Sequence, residues 1–84
     1  MPHKLLIVDD DASIRNVLKE SLENEEYDVA TAKDAFAAIE YLKENKVDLI
    51  ISDLMMPEMT GSELLQKIRK DGYSTGFLMI TAYG

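Results

Sequence analysis

Two short apolar runs, each ended by aspartate, constrain the fold of this chain more than any other feature. Residues 5–8 are all apolar and precede three consecutive aspartates at 9–11, and residues 49–52 precede Asp53. A run without polar alternation is typical of a strand that is buried on both faces, as in a parallel sheet. Because parallel strands are joined by long crossovers, the segments between the strands are expected to form helices.

Three intervening segments carry apolar residues at helical spacing. These positions are Ile14, Val17, Leu18 and Leu22; Ala35, Ala38, Ile39 and Leu42; and Leu64, Leu65 and Ile68. Thr60 and Glu63 match a capping box, in which each side chain accepts a hydrogen bond from a free N–H at the helix start. Gly72 is typical of the residue that follows a helix. Residues 27–31 are predicted to form the short second strand, and the apolar run at residues 77–80 predicts the fourth.

The predicted order is therefore β-α-β-α-β-α-β over one small domain, residues 1–84. This alternation predicts an α/β fold: a doubly wound parallel sheet with right-handed crossovers and helices on both faces. In such sheets, ligands bind outside the carboxyl ends of the strands. The functional residues are therefore expected among the positions that directly follow each strand.

Charge and cysteine content exclude several classes of function. The chain has 16 acidic and 9 basic residues, a net charge of −7, which disfavours direct contact with nucleic acid. The absence of cysteine excludes disulfides and thiolate metal sites, and a cytoplasmic location fits this composition. No apolar run has the length that a membrane span requires, so no membrane contact is expected.

Aspartates that follow the first and third strands suggest a cation site. If those strands are neighbours, Asp9, Asp10 and Asp53 converge at one edge of the sheet, where three carboxylates repel one another unless a proton or cation intervenes. Ligands that are all oxygen favour Mg²⁺ or Mn²⁺. An EF-hand calcium loop is excluded, because Ile14 stands where that loop requires glycine.

Three motifs now stand in order along the chain: the acidic pair after Val8, the pattern D-x-x-M-P-x-x-x-G from Asp53 to Gly61, and the Thr-Ala pair that follows Ile80. Together they resemble the receiver domain of bacterial two-component response regulators, and the resemblance spans all 84 residues. It implies a flavodoxin-like sheet with strand order 2-1-3-4 for the strands present here.

The resemblance also implies a role for each site residue. Asp53 is expected to be the phosphoacceptor, which receives a phosphoryl group from phosphohistidine on a sensor histidine kinase. Asp10 and Asp53 are expected to bind Mg²⁺ directly, together with the backbone carbonyl of Met55, while Asp9 reaches the metal largely through water. Thr81 is expected to hydrogen-bond the phosphoryl group and to act in the switch.

The expected output is regulation of transcription by a further domain. The ending at residues 80–84 resembles receivers attached to ATPase-type transcription activators. Catalysis is expected to be confined to the domain's own phosphorylation and dephosphorylation, so the chain is not expected to be an enzyme.

The sequence departs from the family pattern after the fourth strand. It is interpreted as a receiver truncated there, lacking the last helix-strand-helix and the family's lysine that pairs with the phosphoryl group. Lys67, Arg69 and Lys70 are predicted on the polar side of the third helix, so none of them is assigned the role of that lysine. Phosphorylation is therefore expected to be inefficient. The uncovered strand-four edge and first-helix face predict a homo-oligomer joined through those surfaces.

Two alternatives remain open from the sequence. A haloacid-dehalogenase-type phosphatase would use Asp9 as its nucleophile, with the acidic run at residues 9–11 and the Ile80-Thr81 pair as its motifs. That interpretation leaves Asp53 without a role. The second alternative is an engineered folding fragment with a vestigial site.

Overall fold

The alternation predicted from the sequence is present in the computed structural model, which describes residues 3–81. The elements are β1 (Lys4–Val8), α1 (Ala12–Asn24), β2 (Asp28–Ala32), α2 (Ala35–Glu44), β3 (Leu49–Asp53), α3 (Gly61–Lys70) and β4 (Gly76–Ile80). The predicted resemblance of the ending includes residues 82–84, which lie outside the described residues. No helix within residues 3–81 is long and apolar enough to cross a membrane.

The four strands form one parallel sheet in the order β2-β1-β3-β4, which confirms the predicted order. In β1, Leu6 pairs with Ala30 on one side and with Ile50 on the other. The last residue of β3, Asp53, pairs with Ile80 of β4. This register brings the carboxyl ends of β1, β3 and β4 to one edge of the sheet.

Strand β2 begins one residue later than predicted and ends one residue later. The N–H of Tyr27 donates to the carbonyl of Leu22 at 3.2 Å, so Tyr27 closes the end of α1 and is not part of the sheet. At the other end, Ala32 pairs with Val8 and extends the strand. Strand β4, by contrast, begins one residue earlier than predicted, at Gly76, which pairs with Leu49.

Two helices cover one face of the sheet and one helix covers the other. The larger core lies under α2 and α3 and includes Leu6, Val8, Ile50, Leu42, Leu64 and Ile68. Met56 also belongs to this core, so its side chain anchors the segment after β3. The smaller core contains Leu5, Ile7 and Val29, packed against Leu18 and Leu22 of α1. The helices on both faces agree with the predicted doubly wound architecture.

The face of the sheet that carries α1 is incompletely covered within the described part of the chain. None of the 13 residues of α1 is fully buried, and Val17 is 63% exposed. Leu78 of β4, which pairs with the buried Ile51, is 51% exposed. Apolar side chains of α1 and β4 therefore border a surface open to solvent.

Polar side chains fix where the helices begin. Asp11, Asp34 and Thr60 are the N-caps of α1, α2 and α3, and each accepts a hydrogen bond from a backbone N–H in the first turn. The capping box predicted for Thr60 and Glu63 is present. Such caps satisfy N–H groups that have no partner inside the helix.

Helices α1 and α3 end in the same way, with a residue of positive φ two positions after the last helical residue, but that residue differs between them. In α3, Gly72 has a φ of 95°, and the N–H of Tyr73 donates to the carbonyl of Ile68. In α1, the equivalent position is Glu26, with a φ of 70°. This left-handed conformation favours glycine, so Glu26 holds it at a cost in conformational energy.

Candidate metal and phosphoacceptor site

The sheet brings three carboxylates together at its carboxyl edge. Oxygen atoms of Asp9, Asp10 and Asp53 all lie within 4.8 Å of one another. The strand order explains this proximity. Because β1 and β3 are adjacent and parallel, the residues at their carboxyl ends lie side by side. Asp9 is buried, Asp53 is half-buried and Asp10 is exposed.

Asp9 is the most constrained of the three. Its N–H donates to the carbonyl of Ala32 at 3.2 Å, and its carboxylate accepts a hydrogen bond from the N–H of Asp11 at 2.9 Å. Burial raises the pKa of the Asp9 carboxyl, the hydrogen bond from Asp11 opposes that rise, and the charges of Asp53 and Asp10 add to it. The ionised form of Asp9 is therefore disfavoured by its surroundings.

Asp53 lies at the end of β3, with its backbone fixed on both sides. The next N–H, that of Leu54, donates to the carbonyl of Ile80 at 2.8 Å. The Asp53 carboxylate accepts a hydrogen bond from the N–H of Met55 at 3.1 Å. Met55 itself is 60% exposed, so the backbone of this loop lies beside the acidic cluster at the surface.

Gly61 explains why the segment after β3 needs glycine eight residues beyond Asp53. A Cβ at Gly61 would lie 2.5 Å from the carbonyl oxygen of Asp53 and 3.1 Å from the Cα of Leu54. The N–H of Gly61 also donates to the carbonyl of Leu54 at 3.0 Å. The start of α3 thus packs directly on the backbone that carries Asp53.

A cleft of about 220 Å³ opens beside the carboxylates. It is lined by Asp9, Ile14, Leu18, Asp53, Ile80 and Thr81. Thr81 is exposed and follows Ile80, the residue that pairs with Asp53, so Thr81 borders the same cleft. The cleft combines an apolar wall from α1 with two aspartates and one threonine.

Two residues near the cluster have other roles. Asp11 caps α1 through hydrogen bonds to the N–H groups of Ser13 and Ile14. Arg15, for which the sequence predicted no role in the site, donates from its Nη1 to the carbonyl of Asp9 at 2.6 Å. Nothing in the sequence pattern distinguishes Arg15 from the other charged residues of α1, because its contact depends on how the helix packs on the loop.

The donor set suits a hard divalent cation. Within residues 3–81, no lysine, arginine or histidine forms an ion pair with Asp9, Asp10 or Asp53. The cluster contains carboxylate oxygens and neither imidazole nor thiolate. Such sets favour Mg²⁺, which commonly combines one or two carboxylates with water and phosphate oxygens.

Comparison with known proteins gives the family. The family model of the response regulator receiver domain matches residues 5–84. The chain belongs to the response regulator receiver domain family. This result supports the resemblance carried by the three motifs and assigns the chain to two-component signalling; among its relatives are transcriptional regulators.

Relatives are similar over nearly the whole chain. The alkaline phosphatase synthesis transcriptional regulatory protein PhoP of Bacillus subtilis is 39% identical over 82 residues, which are 98% of this chain and 34% of PhoP. Response regulator MprA of Mycobacterium sp. (strain KMS) is 35% identical over 98% of this chain and 36% of its own length. The chain thus spans about a third of the length of these curated relatives.

Solved structures have the same fold. The chemotaxis protein CheY4 of Vibrio cholerae superposes with a TM-score of 0.94 and 36% identity, covering 100% of this chain and 72% of CheY4. The response regulator TrrA of Thermotoga maritima, in complex with Mg(2+)-BeF, gives a TM-score of 0.90 and 35% identity, with 98% and 71% of the two chains covered.

Proposed function

We propose that Asp53 is the phosphoacceptor of this receiver domain. A carboxylate oxygen of Asp53 attacks the phosphorus of a phosphohistidine on a sensor histidine kinase. The new O–P bond replaces the P–N bond, and the electron pair of that bond returns to the histidine nitrogen. The observation that carries this proposal is the placement of Asp53, half-buried at a strand end and beside two further carboxylates.

Mg²⁺ is the cofactor that fits this cluster. Asp10, Asp53 and the backbone carbonyl of Met55 would hold the ion directly, and Asp9 would contact it through water. When bound, the ion neutralises charge on the carboxylates and on phosphoryl oxygens. The mutual repulsion of three unpaired carboxylates supports this assignment, as does the Mg(2+)-BeF complex of the similar TrrA.

Thr81 supplies a neutral hydrogen-bond donor to the phosphoryl group. Its position at the end of β4, beside the cleft that Asp53 lines, supports this role. A hydroxyl that binds the phosphoryl group after transfer couples the state of Asp53 to the end of β4. That coupling is the switch by which the domain controls an output, which is transcription in the similar regulators.

Its partner and its setting follow from the same chemistry. The phosphoryl donor is a sensor histidine kinase, and the domain works in the cytoplasm, as the absence of cysteine suggested. It has no separate substrate, because its chemistry is confined to phosphorylation and dephosphorylation of its own aspartate.

Phosphorylation by a small-molecule donor tests this function. Incubation with a phosphoramidate and Mg²⁺ is expected to add one phosphoryl group to the intact mass, and removal of Mg²⁺ is expected to prevent it. Asp53→Asn is expected to abolish the addition, whereas the matched variant Asp11→Asn, which alters only a helix cap, retains it. Addition to Asp53→Asn at the wild-type level would refute the proposal.

We also propose that a second copy of the chain pairs with the outer edge of β4 and covers the α1 face. Strand β4 pairs only with β3 in the described sheet, and residues 76–80 contain no charge and no proline to block further pairing. An uncharged edge is also where two chains of net charge −7 can approach. A two-fold contact uses the same surface on both copies.

The oligomeric state tests the pairing. Light scattering at micromolar concentration is expected to give the mass of a dimer or a higher assembly. Leu78→Lys is expected to reduce that mass, while Phe36→Lys on α2, where the side chain is 47% exposed, leaves it unchanged. A monomeric mass together with a cooperative thermal transition would contradict the pairing.

A further inference from the structure

The exposed ligand Asp10 has no side-chain contact of its own to hold it. Within the described residues, no hydrogen bond or ion pair reaches its carboxylate. The direction of the side chain is therefore set by the backbone before it. That backbone is the peptide unit formed by the carbonyl of Asp9 and the N–H of Asp10.

Arg15 holds that peptide unit from the first turns of α1. Its Nη1 donates to the Asp9 carbonyl at 2.6 Å, across six residues of chain. The N–H of Asp9 is fixed by the carbonyl of Ala32 on the opposite side. Asp9 is thus held at both of its backbone polar groups, and rotation of the following peptide would break the contact with Arg15.

We infer that Arg15 is a positioning residue for the metal site, which orients Asp10 by fixing the Asp9 carbonyl. This inference rests on the Mg²⁺ site of the proposed function. Because the guanidinium donates to a backbone carbonyl, it occupies no carboxylate oxygen of the cluster. Arginine suits the role, since its planar donors have fixed directions and its charge does not titrate near neutral pH.

The positioning role and a simple charge effect predict opposite results. A cation near three carboxylates opposes Mg²⁺, so removal of its charge alone would strengthen Mg²⁺ binding. Removal of a group that orients a ligand weakens binding, typically by 10–100-fold for groups that contact the ligands of a metal. Since Arg15 acts through the backbone, the lower end of that range, about tenfold, is expected for its loss.

A titration of isotope-labelled protein with Mg²⁺, monitored by amide chemical shifts, distinguishes the positioning role from the charge effect. Arg15→Met keeps the aliphatic packing and removes both donors and charge, and it is expected to raise the dissociation constant about tenfold. Arg15→Lys, which can still donate to the carbonyl, is expected to fall between Arg15→Met and the wild type. Lys19→Met removes a cation that pairs only with Glu23 on the exposed side of α1 and is the charge control.

Equal or tighter Mg²⁺ binding by Arg15→Met would overturn the inference and leave the proposed metal site standing. Failure of the wild-type chain to bind Mg²⁺ at residues 9, 10 and 53 would refute the proposed site and the inference with it. Thermal unfolding without metal supplies the second readout. A purely structural role for Arg15 would lower the unfolding temperature and leave the dissociation constant of the folded protein unchanged, which would also overturn the inference.

Discussion

Replacement of Asp9 with asparagine is expected to stabilise the metal-free protein. Asp9 is 2% exposed, and its carboxylate lies within 4.8 Å of two others. Asparagine removes one charge from the cluster and keeps an oxygen that can accept the hydrogen bond from Asp11. The substitution therefore removes repulsion and keeps an acceptor for the N–H of Asp11.

The magnitude follows from the spacing of the carboxylates. Two unit charges 4.8 Å apart repel by about 0.9 kcal/mol in water and by about 3.5 kcal/mol at an effective dielectric constant of 20. Asp10 is exposed and Asp53 is half-buried, so screening favours the lower part of that range. We expect the free energy of unfolding to rise by about 1–2 kcal/mol, which raises the unfolding temperature by at least about 4 °C in a domain of this size.

The gain should depend on pH with a definite sign. The folded-state pKa of Asp9 lies above its ordinary value of 3.8. The folded state therefore holds its proton more tightly, and wild-type stability falls as the pH rises from 3.8 through the raised value. The advantage of Asp9→Asn should be absent below pH 3.8, grow across that window and then remain constant.

Mg²⁺ should reduce the stability advantage of Asp9→Asn over the wild type. At a free concentration of about 100 times its dissociation constant, an ion that binds only the folded state adds about 2.7 kcal/mol. The wild type gains this stabilisation and Asp9→Asn gains less of it.

Thermal and urea unfolding, with and without Mg²⁺, measure these effects. Glu20→Gln, an exposed change in the middle of α1, controls for net charge. If Asp9→Asn were no more stable than the wild type without metal, repulsion within the cluster would be refuted. If its stability advantage were the same with and without Mg²⁺, a role of Asp9 in Mg²⁺ binding would be refuted.

Further substitutions test the metal site, the packing of Gly61 and the helix ends. Asp10→Asn should abolish the stabilisation by Mg²⁺ in thermal unfolding while Asp11→Asn retains it, and equal loss in both would indicate a diffuse acidic surface. Gly61→Ala should cost about 1–3 kcal/mol in urea unfolding, because its Cβ meets the carbonyl that ends β3, and an unchanged stability would refute that contact. Glu26→Gly should raise the free energy of unfolding by about 0.5–1 kcal/mol, and Gly72→Glu should lower it by a similar amount, because both positions have positive φ. The same urea experiment measures both changes.

The alternation of strands and helices was accessible from the sequence because it depends on local pattern, whereas the strand order came from the family resemblance, and the acidic cluster followed once β1 and β3 were taken as neighbours. Unbroken apolar runs indicate buried parallel strands, and adjacent β1 and β3 necessarily bring Asp9 and Asp53 to one edge. The capping box at Thr60 was equally visible, since its residues lie three apart on the chain. The functional roles of these aspartates stay predictions.

Features that depend on three-dimensional packing were not accessible. The end of α3 was predicted because Gly72 marks it, whereas the equivalent position after α1 is Glu26, which gives no such indication. Arg15 looked like one charged residue of an amphipathic helix until its contact with the Asp9 carbonyl was known. The spacing of apolar residues in α1 also gave no measure of how far Val17 remains exposed.

Chemical trapping of the phosphorylated residue tests the central claim most directly. After reaction with a phosphoramidate and Mg²⁺, borohydride reduces an acyl phosphate of aspartate to homoserine, and peptide mass mapping locates the change. The account predicts homoserine at position 53, none at positions 9 and 10, and none without Mg²⁺. Homoserine at position 9 would contradict the account and favour a phosphatase-type nucleophile at Asp9.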